Sequence, residues 1–197
     1  MSALIERPSG PRRSIAIETT DAKHYAATRK RLTAAQRRWL TDNGFAAAPD
    51  TFALLADDAG KLVRVLAGVD ARAPLTALAA LPCALPEANY HLADEGVLDD
   101  PLQAALGWAL GAYQFGRYRQ PKRAPARLVV SSADLAQLAP LVKATAQVRD
   151  LVTTPTEAMG PAQLADAVRQ LGKTHRTKVR EWVGDALLKA NFPTIHA

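Results

Sequence analysis

Apolar residues fall into short runs separated by proline, glycine and charged clusters, and the spacing within each run predicts its geometry. Ile15, Ala16 and Ile17 form a strand-like triplet. A polar helix starts near Thr33, runs to Asp42 and ends at Asn43-Gly44, a helix C-terminal signal. Phe52–Leu55 and Leu62–Leu66 flank Asp57-Asp58-Ala59-Gly60-Lys61, which predicts a hairpin. A short helix over Leu75–Leu81 is expected to stop at Pro82, and Asn89–Leu92 reads as another short strand.

The clearest helix opens at Asp99-Asp100-Pro101, because aspartate caps free N–H groups and proline fits the first turn. Leu102, Leu106, Leu110 and Tyr113 give it one buried face, and Gly107 and Gly111 beside that stripe predict close packing against a sheet. Arg127–Val130 reads as a buried strand. Ser131 to Asp134 has the form of a capping box for a short helix, and Pro140 is expected to start a second one. That second helix carries Leu141, Thr145, Val148 and Val152 and ends before Pro155, which disfavours helical geometry at Thr154. Gly160-Pro161 opens a helix with Leu164, Val168 and Leu171 on one face; Val179–Val183 reads as a strand and Gly184–Ala190 as a short helix. Strands alternating with helices define an α/β protein, without an internal repeat.

Composition changes this picture little. Hydrophobic residues are 48% and charged residues 22% of 197, a globular balance. No apolar run reaches the roughly 18–20 residues of a bilayer span, and residues 1–13, polar and basic, read as a flexible arm without a signal core. The expectation is a soluble, cytoplasmic protein with no membrane partner. Cys83 is the single cysteine, which excludes an internal disulfide and a cysteine zinc site; its apolar surroundings predict a buried structural thiol.

The chemistry-bearing residues do not assemble into a catalytic pattern. His24, His91, His175 and His196 lack His-x-x-x-His or Glu-x-x-His spacing. The acids after Arg149 (Asp150, Glu157, Asp166, Glu181 and Asp185) fall on cap, surface and loop positions, and the pairs Asp57-Asp58 and Asp99-Asp100 suit turns and caps. No catalytic, cofactor-binding or metal-binding residue is assigned. The net charge of +6 allows an anionic partner. Tyr113-Gln114-Phe115-Gly116-Arg117-Tyr118-Arg119-Gln120-Pro121-Lys122-Arg123, with Arg29-Lys30-Arg31 and Arg37-Arg38, interleaves cations and aromatics as nucleic-acid surfaces do. The same pattern fits a helix end with core-facing aromatics and cations that complement the dipole.

Three segments together resemble the leucyl aminopeptidase (cytosol aminopeptidase) family. They are Leu106-Gly107-Trp108-Ala109-Leu110-Gly111-Ala112-Tyr113, continuing to Phe115 and Arg117-Tyr118; Arg149-Asp150-Leu151-Val152-Thr153-Thr154-Pro155 with Met159-Gly160-Pro161; and Gly184-Asp185 with Leu187-Leu188 and Asn191-Phe192-Pro193-Thr194-Ile195-His196-Ala197. Thr153 stands where asparagine is common in the family. The resemblance implies an N-terminal macro-domain-like mixed sheet flanked by helices over residues 14–139, a connecting helix over 140–154, and the opening α/β segment of a catalytic domain over 155–197. It also implies a parent metalloexopeptidase that releases N-terminal amino acids with two divalent ions, zinc or manganese, and assembles as a hexamer. The family's Asn-Thr-Asp-Ala-Glu-Gly-Arg, Lys-Gly and Phe-Asp-(Ser/Thr)-Gly-Gly motifs do not occur here; the resemblance places them after Ala197. The chain is therefore expected to be non-catalytic alone, with the catalytic domain as its partner and with no cofactor of its own. The helix near 161–171 and the strand near 178–183 are expected to expose more apolar surface than the first 150 residues, or to bury it against another copy. The alternative is a basic macro-like module binding nucleic acid or a nucleotide.

Overall fold

A computed structural model describes residues 3–6, 14–94 and 96–196, so most of the expected N-terminal arm lies outside the described residues. The chain divides into two compact units, Met1–Gln147 and Val148–Ala197.

The first unit is built on six strands in the order β1-β6-β5-β2-β4-β3. These are β1 (Leu4–Glu6), β2 (Ile15–Thr20), β3 (Thr51–Ala56), β4 (Leu62–Gly68), β5 (Asn89–Leu92) and β6 (Arg127–Val130). All neighbours run parallel except the β3–β4 hairpin. Its turn is closed by Asp57, whose carboxylate accepts the N–H groups of Ala59 and Lys61, with Gly60 at φ 77°. β1 lies within the stretch expected to be a free arm. Leu4 is buried beside Leu128, and three residues are too few for an alternating pattern to announce a strand.

Alternation along the strands divides the side chains between two faces. On one face, Ile17, Val65, Tyr90 and Leu128 pack with Trp108 and Ala105 of α5 (Pro101–Gly111). Fully buried side chains of this size each contribute about 1.5–3 kcal/mol. The opposite face carries Leu66, Leu55 and Ala53, covered by Leu32 and by Leu40 of α2 (Ala34–Asp42). Preceding α2, α1 (Tyr25–Lys30) is a short helix that the sequence pattern did not predict. Thr33 and Gln36 cap α2 reciprocally.

Between β4 and β5 the expected single helix is two turns, α3 (Pro74–Ala77) and α4 (Leu81–Ala84); Pro82 lies in the first turn of α4 rather than ending a helix. Asp100 caps α5 by accepting from the Gln103 N–H at 2.9 Å. Gly107 and Gly111 do permit close packing, but against backbone around α3 and not the sheet: a Cβ on either would stand 1.8 Å from the carbonyl oxygen of Leu75 or Ala79.

After β6, α6 (Ser132–Thr153) runs through Pro140 without the expected break and crosses from the first unit into the second. Pro140 removes a single N–H donor. Ser131 and Asp134 form the predicted cap at its start.

In the second unit, α7 (Pro161–Thr174) is followed by α8 (Ala186–Lys189) and α9 (Pro193–His196). Val179–Val183 is not a strand. Among the described residues this unit offers no other strand, and an extended segment without a ladder partner gains nothing from β geometry. Leu164, Val168, Leu171, Val179 and Val183 are all exposed, Val183 at 72%.

Candidate functional site

Three of the four histidines have separate partners. His91 Nδ1 is 2.9 Å from Ser14 Oγ, His24 Nδ1 is 2.8 Å from Asp21, and His196 Nε2 is 3.3 Å from Asp185, while His175 ends α7. Burial tends to raise the Asp21 carboxyl, but hydrogen bonds from the His24 backbone and ring overrule it and hold the carboxyl below its ordinary value. Among the described residues no group of three or more His, Cys, Asp or Glu is placed to hold a metal ion. Likewise among them, no helix is long and apolar enough to cross a membrane.

A cleft of about 540 Å³ opens at the C-terminal ends of β5 and β6, between the first turns of α5 and α6. Its floor is apolar, with Leu92, Leu102 and Leu128. The rim carboxylates are engaged locally: Asp100 caps α5 and Asp134 accepts from Ser131 Oγ at 2.7 Å. Carboxylates at both helix starts cancel the positive potential that would otherwise draw an anion here.

Cys83 is exposed, contrary to the buried thiol expected from its apolar neighbours; its Sγ is 3.6 Å from the Gly111 carbonyl. The loop after α5 also departs from a core-facing helix end. Phe115 and Tyr118 stack at 5.8 Å, Arg117 lies over the Tyr118 ring at 5.6 Å, and Tyr118 is 58% exposed. Arg123 reaches the Cys83 carbonyl.

Glu18 is a further polar centre that the sequence reading did not single out. It is buried in β2, and both Arg31 and Arg64 bind its carboxylate, Arg64 at 2.7 Å. The available signal was an acid following Ile15-Ala16-Ile17 in a strand, where only a paired charge is tolerated. Its partners lie 13 and 46 positions away, and only the pairing of β2 with β4 brings Arg64 to it.

Comparison with known proteins follows this architecture. A probable cytosol aminopeptidase of Rhodococcus opacus (strain B4) is 34% identical over a match covering 45% of this chain and 21% of the relative. The solved cytosol aminopeptidase of Coxiella burnetii superposes with a TM-score of 0.85 at 26% identity, covering 94% of this chain and 40% of that one. Tomato leucine aminopeptidase (a K354E mutant) shares the fold, with a TM-score of 0.58 at 14% identity over 88% of this chain and 42% of that one. The chain thus spans well under half the length of these relatives. The M17 aminopeptidase N-terminal domain matches residues 15–131, the stretch from β2 to the end of β6, and the chain belongs to the M17 aminopeptidase family.

Proposed function

We propose that this chain is the non-catalytic N-terminal portion of a cytoplasmic leucyl-aminopeptidase-like metalloexopeptidase, whose peptide hydrolysis rests on residues of a catalytic domain. The family match over residues 15–131 carries this reading. The cytosolic relatives support the compartment. In this reading residues 14–139 form a macro-domain-like module, which the mixed, helix-flanked sheet supports. The C-terminal half of α6 serves as the connecting helix over 140–154, and residues 155–197 begin the catalytic domain. The apolar stripe of α7 and the segment after it, exposed in this chain, would be covered there and in a homo-oligomer such as the family's hexamer.

One solved relative at 22% identity, a bottromycin maturation enzyme, is described in complex with manganese. The described residues here do not fit a two-metal centre, which needs clustered oxygen ligands around ions about 3.5–4 Å apart. No hydrolytic step is assigned to them, and zinc or manganese would be held by the catalytic domain.

Leucine p-nitroanilide hydrolysis by the 197-residue chain with added manganese or zinc tests the reading. The expected result is no turnover that a chelator abolishes. Chelator-sensitive turnover by the purified chain would overturn it.

A further inference from the structure

The arginines around α1 and α2 divide into two groups. Arg31 and Arg64 share the carboxylate of Glu18, and Arg38 lies 3.7 Å from Asp42. Arg29, Lys30 and Arg37 line a cleft of about 400 Å³ with Tyr25 and Ala26, and among the described residues none of the three cations has a carboxylate within ion-pair distance. Their hydrogen bonds run to neutral acceptors. Arg29 Nη2 donates to Thr41 Oγ1 at 2.5 Å and weakly to the Arg37 carbonyl at 3.4 Å, and Arg37 Nη1 donates to the Leu32 carbonyl at 2.7 Å. Arg29 Nε is buried with no partner. Tyr25 is fixed by its hydroxyl on the Phe45 carbonyl and its ring edge-on to Phe45, so one wall of the cleft is rigid and aromatic.

Two guanidiniums and an ammonium facing one cleft repel one another, and a buried guanidinium N–H without an acceptor costs desolvation energy that nothing in the fold returns. An anion in the cleft would relieve the repulsion among the three cations. A phosphate group suits it better than a single carboxylate, because it carries up to two charges and three acceptor oxygens opposite forked donors. We propose that the cleft between α1 and α2, bounded by Tyr25, Arg29, Lys30 and Arg37, is a binding site for a phosphate group. The two arginines hold its oxygens and Lys30 supplies charge from the rim. The site lies entirely within residues 25–37 and does not depend on the peptidase reading.

The test is an amide-resolved NMR titration of the whole chain with inorganic phosphate, with ionic strength held constant by sodium chloride. Saturable shifts confined to residues 25–37 are expected. Lys30→Gln, at an exposed side chain whose loss breaks no hydrogen bond, should weaken binding at least about tenfold, as should Arg37→Gln. Arg72→Gln, at an exposed arginine paired with Asp70, should leave it unchanged. A parallel titration with a short single-stranded oligonucleotide identifies the source of the phosphate. Binding tighter than inorganic phosphate and weakened by Lys30→Gln marks a nucleic-acid backbone, and binding no tighter marks a small phosphate ester. Absence of saturable shifts, or equal responses from Lys30→Gln and the unchanged chain, overturns the proposal.

Discussion

Alanine at Gly111 would place a methyl group 1.8 Å from the carbonyl oxygen of Ala79 and 2.6 Å from its carbonyl carbon. A carbon–oxygen contact relaxes at roughly 3.3 Å, so the backbone near α3 and α5 must part by about 1.5 Å. Neither partner can rotate away, since one is the backbone of the last residue of α5 and the other a main-chain carbonyl. Overpacking of this kind costs about 3 kcal/mol, the upper part of its usual range. Glycine to alanine at an unobstructed helix position gains at most about 1 kcal/mol, which leaves a net loss of about 2 kcal/mol. The two terms have opposite signs, so the direction of the change discriminates between them. Urea unfolding should be followed in a Trp39→Phe, Trp182→Phe background, where buried Trp108 on the same helix is the only indole. At an m-value near 2 kcal/mol/M the midpoint should fall by about 1 M. A midpoint that is unchanged or raised would refute the close approach of α5 to the Ala79 backbone.

Tyr90 is buried, and burial raises its phenol above the ordinary value of 10.0, with the Arg123 charge opposing. The folded state therefore favours the neutral phenol: its stabilisation is complete below pH about 10 and is lost as pH rises toward the folded value. Tyr90→Phe should remove that alkaline loss in a pH-resolved denaturation series, at a cost of about 1 kcal/mol near neutrality for the hydrogen bond to the Pro86 carbonyl. Glu18→Gln should destabilise the first unit by about 2–3 kcal/mol, because Arg31 and Arg64 lose their shared partner while their half-exposed heads retain some solvation; a loss below about 0.5 kcal/mol in urea unfolding would contradict the clamp. Val183→Lys and Ile195→Lys, at positions 72% and 67% exposed, should change stability by less than about 0.5 kcal/mol and reduce self-association seen by light scattering. A large destabilisation would show that these side chains are buried within one copy.

Much of the first unit was legible because its signals are local. Asp99-Asp100-Pro101 and Thr33 with Gln36 specify helix starts, and Asp57 to Lys61 specifies a turn, through contacts within a few residues. What escaped depends on neighbours distant in sequence. Leu4–Glu6 becomes a strand only because β6 offers an edge, and Val179–Val183 fails to become one because its unit offers none. The run of apolar neighbours around Cys83 misled in the same way: a four-residue helix turns its thiol outward whatever the average hydropathy. The basic clusters at Arg29-Lys30-Arg31 and Arg37-Arg38 were visible as charge, but sequence could not sort them. Glu18 takes Arg31 and Asp42 lies near Arg38, and only the packing of α1 beside α2 leaves Arg29, Lys30 and Arg37 without an acid among the described residues.

The pairing of β1 with β6 sets an order of events during synthesis. Leu4 leaves the ribosome long before the strand that receives it, because β6, around Leu128, emerges only after the other four strands. Until then β1 has no ladder partner, and the core near Leu128 lacks the side chain that completes it. β1 must therefore stay unpaired until β6 has emerged and join the sheet after the other strands, a long-range step that slows folding.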